Sequence, residues 1–168
     1  MSHNYLKLHV HLVWATYLRR PLLSARIRAE LFPYAAVAMK GGGARVVLGG
    51  GWVDHVHFYI ELSSYASVGQ VVCRLKARTS GWIRRRFPEA SDFAWQRGYG
   101  AFSVDPKGRA RLLDYIRHQE AHHSRATFDR EFHRLLVAHG LGPGGDAHVR
   151  SLPRPTLSGG PPGNDRPP

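Results

Sequence analysis

The chain has 168 residues, enough for one domain with a real buried core, and its 43% hydrophobic share is that of a globular protein. It carries 24 Lys and Arg against 12 Asp and Glu, a net charge of +12 in which Arg dominates, so a nucleic acid or an anionic membrane surface is the expected partner. The single cysteine, Cys73, excludes an intrachain disulfide and a Cys-based zinc site, and no apolar run approaches the length of a membrane span. With no charged and apolar leader at the N-terminus, the expected location is the cytoplasm.

From Tyr5 to Thr16 the chain is apolar and β-branched with alternating histidines, the pattern of a strand, and Arg19-Arg20-Pro21 ends it. Ser24 is placed to cap a helix reaching about Lys40, with Ile27, Leu31 and Ala35 on one face. Pro33 should kink that helix or end its first part, and Gly41-Gly42-Gly43 stops it. Ala44 to Leu48 predicts a second strand, Gly49-Gly50-Gly51 a turn, and Trp52 to Leu62 a third strand, together a hairpin. Ser67 opens a stronger helix in which Val68, Val71, Val72, Leu75, Trp82 and Ile83 follow helical spacing, and Phe87-Pro88 closes it. Trp95 to Val104 predicts a fourth strand, with glycines where a neighbour approaches the backbone closely. Pro106 suits the first turn of a helix running to about Arg125, and Thr127 caps a last helix that ends at Gly140.

Of the 28 residues from Leu141 to Pro168, 13 are Gly or Pro, so residues 141–168 are expected to be a disordered tail after a folded domain of residues 1–140. The element order β-α-β-β-α-β, followed by more helix, predicts an α+β fold. It is a ferredoxin-like antiparallel sheet of four strands with additional C-terminal helices.

The chemistry concentrates in Asp54-His-Val-His-Phe-Tyr-Ile-Glu-Leu62. Side chains on a strand alternate, so His55 and His57 point to one side with Cα atoms roughly 7 Å apart, a spacing at which two imidazoles can grip one divalent ion. Asp54 either orients a ligating imidazole or caps the preceding turn. His9-Val10-His11 is a second such pair, and His11 reads as a structural or DNA-facing residue before it reads as a ligand. Tyr115, Gln119 and His122 lie at i, i+4 and i+7 of one predicted helix, within about 60° on its wheel. That stripe borders the face of Leu112 and Ile116; it either looks into a site on the sheet or is a core edge running into solvent. His122 is a backup ligand, a phosphate contact or a solvated helix end. Arg74, Lys76, Arg78, Arg84, Arg85 and Arg86 form the densest basic segment, either a solvated helix face or a set of phosphate contacts; Arg74, Lys76, Arg78, Arg84 and Arg85, with Arg97, are the candidate DNA contacts. Trp95, Tyr99 and Phe102 are able to stack unpaired bases, but at least two of them are expected in the core.

The succession HVHFYIEL, SVGQVVCRLKARTSGWIRRRFP, FAWQRGYGAFSV, YIRHQEAHH and FDREFHRLLVAHG resembles the single-tyrosine HUH transposases of the 200/605 group of bacterial insertion sequences. The likeness covers about Tyr5 to Gly140, in order and with matching gaps. It implies a ferredoxin-like sheet, His55 and His57 as metal ligands, Tyr115 as the nucleophile and Gln119 as the third ligand. It also implies a Mg²⁺ or Mn²⁺ cofactor and a hairpin-bearing single-stranded DNA substrate cut through a 5′-phosphotyrosine. Two histidines and an amide make a nitrogen-rich set that suits Mn²⁺ better than Mg²⁺. A homodimer whose subunits share their active sites is implied as well, in a protein working at the bacterial nucleoid. One DNA contact is expected to be missing, because Thr16-Tyr17-Leu18 stands where the family commonly has a Lys. The rival reading is a domesticated protein that binds DNA or RNA hairpins without strand transfer.

Overall fold

Four strands make one sheet in the order β2-β3-β1-β4, with every neighbouring pair antiparallel. They are β1 (Leu8–Ala15), β2 (Ala44–Gly51), β3 (His55–Leu62) and β4 (Gly100–Ser103). The helices are α1 (Ala25–Ala38), α2 (Val68–Arg86), α3 (Arg109–Arg117), α4 (Gln119–His123) and α5 (Phe128–Ala138). This is the ferredoxin-like βαββαβ order with C-terminal helices added. The structure is a computed structural model that describes residues 5–123 and 127–141, without the side chains of His122 and His123. The expected disordered tail therefore lies, from residue 142 onward, outside the described residues.

Strand alternation assigns the two faces of the sheet. Leu12 and Trp14 of β1 and Val56, Phe58 and Ile60 of β3 pack against α1 and α2 in the main core. The alternate residues Val13 and Ala15 turn to the other face, where they meet Phe102 of β4 and Phe128 of α5. α2 begins as its sequence requires, with a capping box in which Ser67 Oγ accepts from the Gln70 amide at 3.2 Å and Gln70 Oε1 from the Ser67 amide at 3.4 Å.

Four local expectations are corrected. Pro33 does not end α1, which runs unbroken from Ala25 to Ala38. The proline is on the exposed side of the helix, and Ala29, whose carbonyl loses its amide partner, is exposed too, where solvent can replace that partner. Gly49-Gly50-Gly51 is not a turn but the end of edge strand β2; the turn is Trp52–Asp54. A Cβ on Gly50 would lie 2.3 Å from the Ile116 carbonyl oxygen, so the glycine is there to let the end of α3 lie on the sheet. The fourth strand is four residues rather than ten, because the chain at 96–98 turns its carbonyls to Lys76 and leaves Trp95 only an isolated bridge to Thr16. The helix predicted through Arg125 breaks at His118, which leaves helical geometry with ψ 25° as its amide closes the last turn on Asp114. The expected close approach at a glycine in this segment is found at Gly100, where a Cβ would meet Phe132 at 2.9 Å.

Candidate active site

β3 presents His55 and His57 on the face away from α1 and α2, both fully buried. Each ring is fixed through its Nδ1. His55 Nδ1 is 2.7 Å from Asp54 Oδ1, and Arg19 grips the other carboxylate oxygen of Asp54 through Nε at 3.1 Å and Nη2 at 2.9 Å. Burial works against the Asp54 charge, but the hydrogen bonds from His55 and Arg19 outweigh it and hold this carboxyl below its ordinary range. Arg19 reaches Asp54 from a left-handed backbone, φ 56°, directly after Leu18 at φ 54°. Two successive non-glycine residues in that region store strain, which the ion pairs of Arg19 with Asp54 and Asp129 offset.

The second ring is fixed by a third histidine. His57 Nδ1 and His11 Nε2 are 2.9 Å apart, with the rings stacked at 5.2 Å. Burial, reinforced by His57, pushes the His11 pKa well below the ordinary imidazole value, so His11 is neutral. In the tautomer in which His11 Nε2 is the acceptor, His57 Nδ1–H donates to it and the His57 Nε2 lone pair is left for a ligand. His11 thus orients the site from behind.

Both Nε2 atoms face the carboxylate of Glu131 on α5, at 3.5 Å from His55 and 3.1 Å from His57. Burial raises the Glu131 pKa to about 7; His55 opposes that shift and Asp54 adds to it. One ligand atom each from His55, His57 and Glu131 lies within 4.8 Å of the others, with all three residues buried. Two imidazoles and one carboxylate are a donor set suited to Mn²⁺, and the oxygen makes Mg²⁺ easier to hold than an all-nitrogen set would. Gln119, at the start of α4 and buried, donates from Nε2 to Glu131 Oε1 at 3.2 Å. Tyr115 stands on α3 with its ring edge-on to His57, centroids 5.5 Å apart. It also lines an open cleft of about 660 Å³ together with His11 and Glu131.

The structure therefore gathers His55, His57, Tyr115, Gln119 and Asp54 in one place, within one chain. Glu131 was missed by sequence reasoning. Its signal was a carboxylate on the apolar face of a helix, in register with Phe128 and Leu135. His122 is in α4, but its side chain lies outside what is described.

The basic helix is not part of this cluster, because α2 packs on the opposite face of the sheet. Three of its cations are occupied internally. Lys76 Nζ donates to the carbonyls of Gln96, Arg97 and Gly98 at 2.9, 3.2 and 2.7 Å; burial lowers its pKa to about 8, with Cys73 opposing. Arg78 donates to the Ala38 carbonyl, and Arg84 to that of Phe93 at 2.9 Å. Arg74, Arg85 and Arg97 are exposed. Trp95 and Phe102 are buried and Tyr99 is exposed, so two of the three aromatics are core.

Residues 4–119 match the family model described as Transposase IS200 like. The chain belongs to that family. Two solved structures share the fold of this IS200-like transposase. One is a transposase candidate from Deinococcus radiodurans R1, 23% identical at a TM-score of 0.58, covering 71% of this chain and 96% of its own. The other is a REP-associated tyrosine transposase bound to a REP hairpin, 17% identical at a TM-score of 0.54, covering 94% and 98%. No curated protein matches the transposase at a significant level. The matched family span holds Asp54, His55, His57, Tyr115 and Gln119, whereas α5 and Glu131 lie beyond it. Among the described residues no helix is long and apolar enough to cross a membrane.

Proposed function

We propose that this transposase cuts and rejoins single-stranded DNA beside hairpins, with Tyr115 as the nucleophile. The observation that carries the reading is the Tyr115 ring set edge-on against His57, in the lining of a cleft that also reaches Glu131. Attack by the phenolic oxygen on a phosphodiester joins the tyrosine to the 5′ phosphate and releases a 3′ hydroxyl. The proton lost by the phenol balances the one gained by the leaving oxygen. Because the phosphodiester is stored as a phosphotyrosine, a second strand's 3′ hydroxyl can reverse the step without an outside energy source.

His55, His57 and Glu131 would hold a divalent ion, which supplies charge stabilisation at the scissile phosphate when bound. Gln119 either joins them as a ligand, as the family resemblance implies, or fixes the Glu131 carboxylate through its hydrogen bond. The hairpin solved with one structural neighbour supports a hairpin substrate. Arg74, Arg85 and Arg97 are the exposed candidates for phosphate contacts along it. The workplace of such an enzyme is the cytoplasm.

A site shared between subunits is what the resemblance implied. The tyrosine and histidines here meet in one chain, and Gly50 leaves room for α3 to lie on its own sheet, which supports a site completed in cis. Mixing His57→Ala with Tyr115→Phe tests this. Restored activity means that α3 is exchanged in a homodimer, and none means a cis site. The reading as a whole is tested by offering a labelled hairpin-bearing single strand with Mn²⁺. A covalent adduct is expected with the wild type and not with Tyr115→Phe. Tight hairpin binding without any adduct would replace it with the non-enzymatic, domesticated reading.

A further inference from the structure

We propose that the cleft bounded by α3, α5 and the end of β4 is a nucleotide subsite. It takes one unpaired nucleotide of a single strand, with the phosphate on Arg111 and Arg134 and the base between apolar walls and the ring of His139. The inference rests on the strand-transfer reading only for its purpose; the chemistry of the cleft stands by itself.

Its volume, about 660 Å³, lies in the range of sites that enclose a small organic ligand. Leu112 of α3 and Leu135 of α5 supply the apolar surfaces. Arg111 and Arg134 come from the same two helices and line the same cleft as these leucines. Neither makes an ion pair or hydrogen bond among the described residues, whereas Arg19, Arg20, Arg28, Arg45 and Arg86 are all paired with carboxylates. Unspent, forked donors in a cleft with apolar walls are what a phosphate with an attached base requires.

His139 adds the stacking surface. Its Nδ1 is tied to the Leu135 carbonyl at 2.8 Å and its ring rests on Phe102 with centroids 4.5 Å apart, so it is a held, exposed ring that lines the cleft. Base stacking on such a ring is tolerant of sequence. Asp105 also lines the cleft, with its Oδ1 held by the Lys107 amide at 2.6 Å, and its single negative charge is smaller than the combined charge of the two guanidinium groups. Because Tyr115 and Glu131 line the same cleft, a nucleotide seated here lies next to the reacting phosphate.

The test is fluorescence anisotropy of a labelled dT6 strand with the full chain in chelator, so that binding is separated from metal and from chemistry. The wild type should bind dT6 about tenfold more tightly than a hexamer of abasic sites. Arg111→Gln with Arg134→Gln should weaken dT6 by about tenfold or more, the paired Arg→Lys variant should recover part of this, and His139→Ala should erase the preference for bases. A control losing the same charge elsewhere, Lys7→Gln with Lys40→Gln, should stay within about twofold. Equal binding of the abasic hexamer, equal weakening by the control, or no binding of dT6 would each overturn the subsite. Wild-type binding with this pattern but no covalent adduct leaves the subsite standing and removes strand transfer. An adduct with binding indifferent to both arginines does the reverse.

Discussion

The two faces of the sheet are built from alternate residues of the same two central strands, and they have opposite characters. Toward α1 and α2, Leu12, Trp14, Val56, Phe58 and Ile60 form a dry apolar layer in which Trp14 stacks on Phe58 at 5.2 Å. One residue further along, His11, His55, His57 and Tyr59 form a buried polar seam, with His11 bonded to His57 and His9 to Tyr59. The first face stabilises through area removed from water; the second, beside the smaller cluster of Val13, Ala15, Phe102 and Phe128, holds polar groups in fixed orientations. A strand's period of two thus lets one sheet separate stability from reactivity.

The sharpest way to test that separation is to remove one group from each face. Tyr115→Phe deletes a single oxygen and should lower adduct formation by at least about 10³-fold while leaving thermal unfolding nearly unchanged. Phe58→Ala should do the opposite, destabilising by about 3–5 kcal/mol through the cavity it opens, with any folded protein still able to form the adduct. If Tyr115→Phe also unfolds the protein, or Phe58→Ala abolishes chemistry without loss of stability, the faces are not separable.

A smaller effect separates Glu131 from Gln119 within the polar seam. Mn²⁺ at 100 times its Kd should stabilise the wild type by about 2.7 kcal/mol in thermal unfolding, and a chelator should remove the gain. Glu131→Gln and His57→Ala should cost about 100-fold in Mn²⁺ affinity by calorimetry. Gln119→Ala should cost less if it only positions the carboxylate. The reverse order would return Gln119 to the role of third ligand.

How far this site was legible in the chain follows from the range of the interactions involved. His55 and His57 are local: strand alternation alone aligns them, and β3 obeys it. Ser67 announced α2 because a cap is a four-residue motif. Glu131 was not legible as a partner of the histidines, since its place depends on how α5 docks some 70 residues later in the chain. The break at His118 was hidden because residues 117–123 hold no glycine or proline to mark it, so Tyr115 and Gln119 reach the site from two helices rather than one. At Gly49-Gly50-Gly51 local preference pointed to a turn, and packing of α3 on the sheet overrode it.

His11 offers a still milder intervention. If it acts by accepting from His57 Nδ1, His11→Phe should weaken Mn²⁺ binding about 10- to 100-fold with the fold intact, and His11→Gln should restore part of it. Equal losses in both variants would mean that the ring acts by its shape and not as an acceptor.

The smallest effect lies on the apolar side, where Lys76 binds three carbonyls under the sheet instead of facing a ligand. Burial lowers its pKa to about 8, below the ordinary lysine value near 10.4. Between those two pH values the unfolded chain holds a proton that the folded chain has released, so the unfolded state binds more protons and stability rises with pH across that window. Below about pH 8 both states are protonated and the penalty of burying the charge is constant. Lys76→Met removes the titration, so denaturant unfolding from pH 7 to 10.5 should show a shallow gain in the wild type that the variant lacks. Partial exposure of the side chain keeps this gain small. A falling wild-type curve relative to the variant would instead mean that the three carbonyls stabilise the ammonium more than burial penalises it. Lys76 would then be a net stabiliser of the 96–98 loop in its charged form.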